Sequence, residues 1–359
     1  MPDNFVSAVK QLFDSAKSAP AKDRASFRIP KKDGMPFIEH LHYMQILVND
    51  MYLSKEREWW VRYAPVAMVA PTYVYENEYK TSPVVIGPAL FQQFSKDVGD
   101  GTIIRNAPVT GLHPYQGGAV TLTVIFSKVD KQDNAEKVLD VLENFADIAS
   151  PLSPTIPFSS YLKIAGSVMS GMRVLLDLPK TQPILAYRET INPQINQALE
   201  PLHLALLDIP GLTNAEKSKF RVKDGQLYYG ETEENAVPYR KSDFILLEIA
   251  QGSKRTDEST LAFYSLWEQT RRLGLQSAKQ DGMWVEAKSH FNTLKVAINE
   301  SPELTKPDVK RLINEFLSEM KEIRQGGAEE QALKIGGQSA ETLNEYQQIA
   351  RQLDELDTL

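Results

Sequence analysis

Proline placement is the sequence feature that most constrains what this chain can fold into. Nineteen of its 21 prolines lie at or before Pro238, and only Pro302 and Pro307 follow. Proline interrupts a helix interior and cannot donate a hydrogen bond within a sheet, so it collects in loops and at strand edges. A long segment with almost no proline is instead suited to helices. We therefore predict an α+β protein that changes from strands to helices near Gly252.

The segment from 27 to 251 is predicted to be a β-rich domain. Its strand candidates are rich in β-branched and aromatic residues. They read VAMVAPTYVY, AVTLTVIF, LHLALLD, KFRV, QLYY and DFILLEIAQ. Asp224-Gly225 in the KDG between two of them supplies the positive φ angles of a tight hairpin turn. Because strands and helices do not alternate as in a βαβ fold, we expect an N-terminal antiparallel β-sandwich-like domain with inserted helices. Its inner boundary is expected near 150–160.

The segment from 252 to 359 carries apolar residues at helical spacing. The two clearest stripes are Trp284, Ala287, Phe291, Leu294 and Ile298, and Val309, Leu312, Phe316 and Ile323. With one helix before and one after these two, we expect a C-terminal four-helix bundle. Paired glycines at 326–327 and 336–337 are predicted to act as hinges, because each glycine costs about 1 kcal/mol in a helix interior. The last helix, at 339–356, is then able to pack on its own bundle or on a partner.

The segment from 1 to 26 is predicted to be an amphipathic helix followed by a tether. One helical face carries Phe5, Val9, Leu12 and Phe13. The small and charged residues at 15–26 indicate a flexible connection. Charged residues interrupt the apolar run, which argues against a secretory signal peptide. The apolar face needs a surface to cover, either on its own domain or in a groove of a partner protein.

Composition and motifs exclude several kinds of chemistry. The chain has no cysteine, which excludes disulfides, thiolate metal sites and thiol nucleophiles. Its formal charge of -7 disfavours binding to a nucleic-acid backbone. No phosphate-binding loop, zinc-protease motif or serine elbow occurs. Charges divide the small-residue segment at 159–178 into pieces too short to span a bilayer. We expect no catalytic residue, no metal or cofactor, and no nucleic-acid or membrane partner.

One alternative from another class stays open, a metal-dependent hydrolase or nuclease. A turn acid, Asp224, and a strand acid, Glu248, are its best candidates for holding a magnesium ion. Glu248 lies on the less apolar face of its strand, where an ordinary exposed glutamate is also expected. A second candidate pair is His40 and His42, which would share one face of a strand and meet one metal ion.

Aromatic residues crowd the segment from 43 to 79. It holds eight of the eighteen tryptophan and tyrosine residues, and Trp59 and Trp60 stand between Arg57 and Arg62. Such residues build a sandwich core, a protein-binding surface or a platform for single-stranded nucleic acid. Interleaved glutamates favour a protein over a nucleic acid as the partner of any exposed part.

Two further stretches carry a resemblance to known proteins. They are PVTGLHPYQGGAVTLTVIFS at 108–127, and KDGQLYYG together with PYRKSDFILLEIA between 223 and 250. Over about 50 residues the chain resembles uncharacterised bacterial proteins from defence-type operons, which stand alongside signalling ATPases or caspase-like proteases. The resemblance implies an accessory, regulator or target role, and it includes no catalytic motif.

These observations together favour a non-catalytic protein that works by protein–protein contact in the cytoplasm. It would be an adaptor, a regulator or a target of a larger bacterial assembly connected with defence or stress. The predicted partner-binding residues are Trp59, Trp60, Arg57, Arg62, Phe5, Val9, Leu12 and Phe13.

Overall fold

The computed structural model describes most of the chain in several stretches. These are residue 14 and residues 24–31, 34–54, 57–58, 61–86, 103–130, 182–193, 198–277 and 282–335. Several sequence predictions lie outside them. These are the N-terminal amphipathic helix apart from residue 14, the inner boundary near 150–160, the segment at 159–178, the last helix at 339–356, the hinge at 336–337, and Trp59 and Trp60. The chain divides into two compact units, Met1–Ser253 and Lys254–Leu359, and the predicted change of architecture near Gly252 lies within two residues of that division.

The first unit is built mainly from strands. Among its described residues these are β1 (Ala25–Pro30), β2 (Tyr43–Tyr52), β3 (Arg57–Glu58), β4 (Val61–Tyr75), β5 (Glu78–Thr81), β6 (Val84–Ile86), β7 (Ile103–Pro108), β8 (His113–Pro114), β9 (Val120–Asp130), β10 (Gln182–Ile191), β11 (Leu202–Leu207), β12 (Phe220–Lys223), β13 (Gln226–Tyr229), β14 (Val237–Pro238) and β15 (Phe244–Gly252). A short helix, α1 (Asn214–Lys217), precedes β12. All the strand pairs among them are antiparallel.

The strands form three sheets. The first sheet has the order β1-β11-β15-β2-β7, with β8 also pairing with β2. The second sheet has the order β10-β9-β4-β3, with β5 and β6 also pairing with β4. The small sheet has the order β12-β13-β14. The mixed α+β class with antiparallel strands before the helices is therefore confirmed.

Alternation along β15 explains how the first sheet is buried on both faces. Ile245, Leu247 and Ile249 belong to one apolar cluster that also contains side chains of β4 and β9 from the second sheet. Phe244 and Leu246 belong to another cluster, which contains Phe220 and Leu227 of the small sheet and Tyr239 beside it. Because strand side chains alternate between faces, the small sheet covers one end of the face opposite the second sheet.

The hairpin of the small sheet turns at the predicted residues. Asp224 has φ 50° and Gly225 has φ 72°, and Lys223 pairs with Gln226 on either side. Two successive positive φ angles define the turn that best matches the twist of the flanking strands. The Asp-Gly prediction is confirmed.

The aromatic segment divides between core and surface. Tyr43, Tyr73 and Tyr75 are buried, whereas Tyr79 is 52% exposed. Tyr52 is partly buried. The described part of this segment is thus mainly core, and its solvent-facing tyrosine is the last in sequence.

The second unit is helical where it is described. Its helices are α2 (Tyr264–Ser277), α3 (Gly282–Asn299) and α4 (Lys306–Ile335). Their apolar stripes share one cluster, in which Trp267 stacks on Phe316 with ring centroids 4.3 Å apart. None of the helices in the described stretches has both the length and the apolar character needed to cross a bilayer.

Helix α4 corrects the prediction of a hinge at Gly326 and Gly327. The helix continues through both residues to Ile335. Two glycines cost about 2 kcal/mol of helix propensity, but one hydrogen bond per residue is gained by propagating an existing helix. The residues that follow, AEEQALK, are strong helix formers. The local penalty is therefore too small to end the helix.

A buried cluster of charged residues connects the start of the helical unit to α4. Arg255 is completely buried and donates from its guanidinium to both carboxylate oxygens of Asp257 and to the backbone and side chain of Glu303. Its backbone N–H donates to Asp308 Oδ2 at 2.8 Å. Arg311 donates to the other oxygen of Asp308 at 2.7 Å and to the carbonyl oxygen of Arg255 at 3.1 Å. Two arginines thus join the segment before α2 to the first turns of α4.

Candidate functional site

A polar cavity of about 550 Å³ lies over the first sheet beside the hairpin of the small sheet. Four strands of the sheet and the residue after β1 form its floor, and the β12–β13 turn forms one wall. The lining residues are Lys31, Gln45, Leu47, Asn49, Asn106, His203, Val222, Asp224, Gly225 and Glu248. None of these described residues is a serine, threonine or tyrosine, so the lining supplies recognition groups and no hydroxyl nucleophile.

Strand register brings the floor residues together. Glu248 of β15 lies opposite His203 of β11 and Leu47 of β2. The register between β15 and β2 shifts between Leu246 and Leu247, and Asn49 is the residue of β2 left without a partner in β15. A bulge re-aims the side chain that it carries. Here it places the Asn49 amide against the Glu248 carboxylate.

Glu248 is the centre of the charge network in the cavity. Its Oε1 accepts from Lys31 Nζ and its Oε2 accepts from Asn49 Nδ2. The Nε2 atom of His203 lies 3.7 Å from Oε2. Burial by itself raises the pKa of Glu248, but the nearby His203, the hydrogen bonds from Lys31 and Asn49 and the charge of Lys31 outweigh it and lower the pKa to about 2. The Glu248 carboxylate is therefore ionised, and the bonds from Lys31 and Asn49 fix its position.

Acid should weaken the first unit through Glu248. The pKa of Glu248 is lower in the folded chain than the ordinary value of 4.5, so its contribution to stability is full above pH 5 and is lost as the pH falls toward 2. We expect the free energy of unfolding of the wild type to drop by up to about 3 kcal/mol more than that of Glu248→Gln between pH 5 and pH 2. Urea denaturation of the full chain at each pH measures the free energy of unfolding of the wild type and of the variant.

The control for this measurement is Glu231→Gln, in the loop between β13 and β14. Glu231 pairs with Lys219 but its side chain is 68% exposed, so its removal should change the acid dependence far less. Parallel wild-type and Glu248→Gln curves across this pH range would contradict the network described above.

The predicted meeting of Asp224 and Glu248 occurs, since both line this cavity. The expectation that Glu248 could be an ordinary exposed glutamate is wrong, because its residue is only 9% exposed. Sequence reasoning missed Lys31, Asn49 and His203. The available signals were Asn49 within the apolar run ILVNDMY and His203 within LHLALL, because a polar residue in such a run needs a partner.

The cavity does not present a ready metal centre. Among the described residues no group of three or more acidic or histidine side chains is arranged to hold a metal ion. Both carboxylate oxygens of Glu248 are already hydrogen bonded. Asp224, Glu248 and His203 are the acidic and histidine residues of the lining, and Glu248 would first have to release Lys31 and Asn49 to bind a metal ion.

His40 and His42 do not form the predicted strand pair. Strand β2 begins only at Tyr43, and His40 lies in a turn with φ 62°. The Nδ1 atom of His42 accepts from the backbone N–H of Ile38 at 3.0 Å. The premise of two imidazoles on one strand face is therefore wrong, because the chain turns at this point.

The predicted partner-binding residues are only partly within the described chain. Arg57 of β3 and Arg62 of β4 are register partners in an antiparallel pair. Trp59 and Trp60, and Phe5, Val9, Leu12 and Phe13, lie outside the described residues. These assignments stay predictions.

Asp50 anchors the small sheet that forms the cavity wall. Its side chain is completely buried in the first sheet. Its Oδ2 accepts from the backbone N–H of Leu227 in β13 at 3.2 Å and from Arg240 Nη1 at 3.2 Å. The Arg240 guanidinium also lies over the rings of Tyr52 and Phe244, 5.2 and 5.5 Å from their centroids. This ion pair holds the hairpin, and so the cavity, in place.

Comparison of the chain with protein families, with curated proteins and with solved structures finds no match. The residues of the cavity and of the predicted partner surfaces therefore carry the functional conclusion.

Proposed function

We propose that this chain is a non-catalytic protein-binding protein that acts in the cytoplasm as an adaptor, a regulator or a target within a larger bacterial assembly of the defence or stress type. The observation that supports it best is the state of the polar cavity. Its one buried acid, Glu248, is held by Lys31 and Asn49, and its described lining contains no hydroxyl nucleophile. Such a cavity is suited to recognition. The resemblance noted above supports the same class of role.

The proposal includes an architecture in two parts. The two six-stranded sheets would be the layers of an antiparallel sandwich, which is supported by the apolar cluster that both sheets share. Helices α2, α3 and α4 would belong to a four-helix bundle completed by the segment at 339–356, and the cluster common to the three helices supports this. The terminal helices predicted from the sequence would dock on the partner.

Partner binding should depend on Trp59 and Trp60. Tryptophan is enriched among the residues that dominate binding energy at interfaces, so the double variant Trp59→Ala/Trp60→Ala should weaken the partner complex at least about tenfold. Stoichiometric co-purification from native lysate identifies the partner, and titration of the purified partner gives the affinity of each variant.

Leu275→Ala is the matched control, since Leu275 is an apolar residue 49% exposed on α2. It should leave the affinity unchanged. If no stoichiometric partner co-purifies with the full chain, and removal of residues 1–26 or 339–359 also changes nothing, the proposed function is wrong.

A metal-dependent hydrolase or nuclease is the second candidate. The observation in its favour is that Asp224, Glu248 and His203 line one cavity. It requires a cation to displace Lys31 from Glu248, which a divalent ion can do only if its own attraction to the carboxylates exceeds that of the ammonium group. Anomalous scattering from crystals soaked in manganese separates the two candidates, because a peak between Asp224 and Glu248 favours the enzyme.

A further inference from the structure

Two residues that line the cavity each carry a buried polar atom without a partner among the described residues. These atoms are Asn49 Oδ1 and His203 Nδ1, on residues that are 2% and 8% exposed. The amide of Asn49 has a fixed orientation, because an ionised Glu248 carboxylate accepts only from its nitrogen. Oδ1 is therefore an acceptor that needs a donor, and leaving such a group unsatisfied in a buried site is costly. A ligand that donates hydrogen bonds would satisfy it.

The rim of the cavity carries a negatively charged residue in addition to this acceptor. Asp224 is exposed at the turn, and its carboxylate has no ion pair or hydrogen bond within the described chain. The next residue of the turn lies against Asn106 and Asn49, since a Cβ on Gly225 would be 2.8 Å from Asn106 Oδ1 and 3.7 Å from Asn49 Nδ2. The free carboxylate of Asp224 is therefore on the wall of the cavity, and the free amide oxygen of Asn49 is on the adjoining part of its floor.

The charge balance of the lining favours a cation over an anion. Lys31 is paired with Glu248, which leaves Asp224 as the carboxylate of the lining without a cationic partner among the described residues. An anion would have to compete with Glu248 for Lys31 and also approach Asp224. The chain as a whole carries a formal charge of -7, which attracts basic partners over longer distances.

The size and the apolar residues of the cavity further define the cationic group that it can bind. Leu47 and Val222 line the cavity beside the polar residues, and they offer contact to a hydrocarbon stem. Arginine and lysine combine such a stem with a cationic head that only donates hydrogen bonds. The cavity volume of about 550 Å³ exceeds that of one side chain, so part of the adjoining backbone also fits.

We infer that this cavity binds an arginine or lysine side chain presented by the partner protein, with Asp224 and Asn49 accepting from its cationic head. The inference rests on the proposed function, because it names the chemistry by which the partner is recognised. It assigns a role to the hairpin turn, whose Asp-Gly sequence provides both the conformation and the charge.

Calorimetric titration of the full chain with N-acetyl-arginine amide tests this inference. We expect saturable binding with a dissociation constant on the order of 1 mM. The citrulline analogue has nearly the same shape without the charge and should bind at least about fivefold more weakly. Hydrogen exchange should show that the arginine probe protects the peptide covering 219–230, which locates it at the turn.

Asp224→Asn is the decisive variant, since Asn-Gly is also favoured in this turn and only the charge is removed. It should weaken binding of the arginine probe about fivefold, whereas Glu231→Gln, outside the cavity lining, should not. Equal affinity of wild type and Asp224→Asn, equal affinity of the arginine and citrulline probes, or no saturable binding would each overturn the inference. If free arginine binds more tightly than the capped probe, the claim that the side chain comes from a partner protein is wrong.

These outcomes are separate from those that test the proposed function. If a stoichiometric partner co-purifies equally well with Asp224→Asn and with the wild type, the role of the cavity is wrong while protein binding stands. If the arginine probe binds as expected but no partner co-purifies, the proposed function is wrong. The claim that a partner protein presents the bound side chain is then wrong as well.

Discussion

Replacing Asp50 with alanine is expected to release the small sheet from the first sheet. The substitution leaves Arg240 without its carboxylate partner and the backbone N–H of Leu227 without its acceptor. Breaking a buried ion pair from one side is strongly destabilising. Because Arg240 retains some exposure to water, we expect a loss at the lower end of the usual range, about 3 kcal/mol. Amide protection in β12 and β13 should then fall about 100-fold in hydrogen exchange.

Two further variants define the cause of this loss. Asp50→Asn keeps an acceptor for Leu227 and removes only the charge, so it should fall between the wild type and Asp50→Ala. Glu231→Ala removes a carboxylate from the loop between β13 and β14, where its side chain is 68% exposed, and should change protection little. Unchanged protection of β13 in Asp50→Ala would show that the apolar cluster alone holds the small sheet.

Replacing Arg255 with alanine should have the largest effect on the helical unit. It leaves the buried carboxylates of Asp257 and Glu303 without their shared cation. We expect a loss of about 3–5 kcal/mol in the free energy of unfolding of this unit. Since the four tryptophans of the chain are Trp59, Trp60, Trp267 and Trp284, a Trp59→Phe/Trp60→Phe background lets fluorescence report on this unit alone during denaturation.

The control for Arg255 is an arginine whose ion pair is exposed. Arg271 pairs with Glu319, and their side chains are 52% and 39% exposed. Arg271→Ala should cost less than about 1 kcal/mol. If the two variants unfold at the same denaturant concentration, burial does not govern the contribution of the Arg255 cluster.

Local sequence patterns predicted the strands that alternate clearly and the turn that joins two of them. The strand predicted at 226–229 agrees with β13 at both ends, and β11 and β15 differ by one residue. Strand β1 was missed, because the predicted tether at 15–26 ends inside it. The segment ASFRIP has little strand propensity of its own, and pairing with β11 supplies its hydrogen bonds.

The candidate site was predictable only in outline. The turn and strand patterns indicated convergence of Asp224 and Glu248, and both residues line one cavity. Burial of Glu248 was not predictable, because it follows from a bulge beside Asn49 and from cover by a separate sheet. Both depend on the register between segments about 200 residues apart in sequence, which no local pattern encodes.

The central position of β15 in the first sheet has a consequence for synthesis of the chain on the ribosome. This strand, Phe244–Gly252, lies between β11 and β2, so the sheet exists only as two fragments until it is made. At 5–20 residues per second, the roughly 200 residues from β2 to β15 take about 10–40 s. Through that interval β2 presents an unpaired edge, and β11 (Leu202–Leu207) adds a second one for the last part of it. Unpaired strand edges are the type of surface that aggregates. We therefore expect the nascent chain to need protection from aggregation until β15 emerges and joins the two fragments.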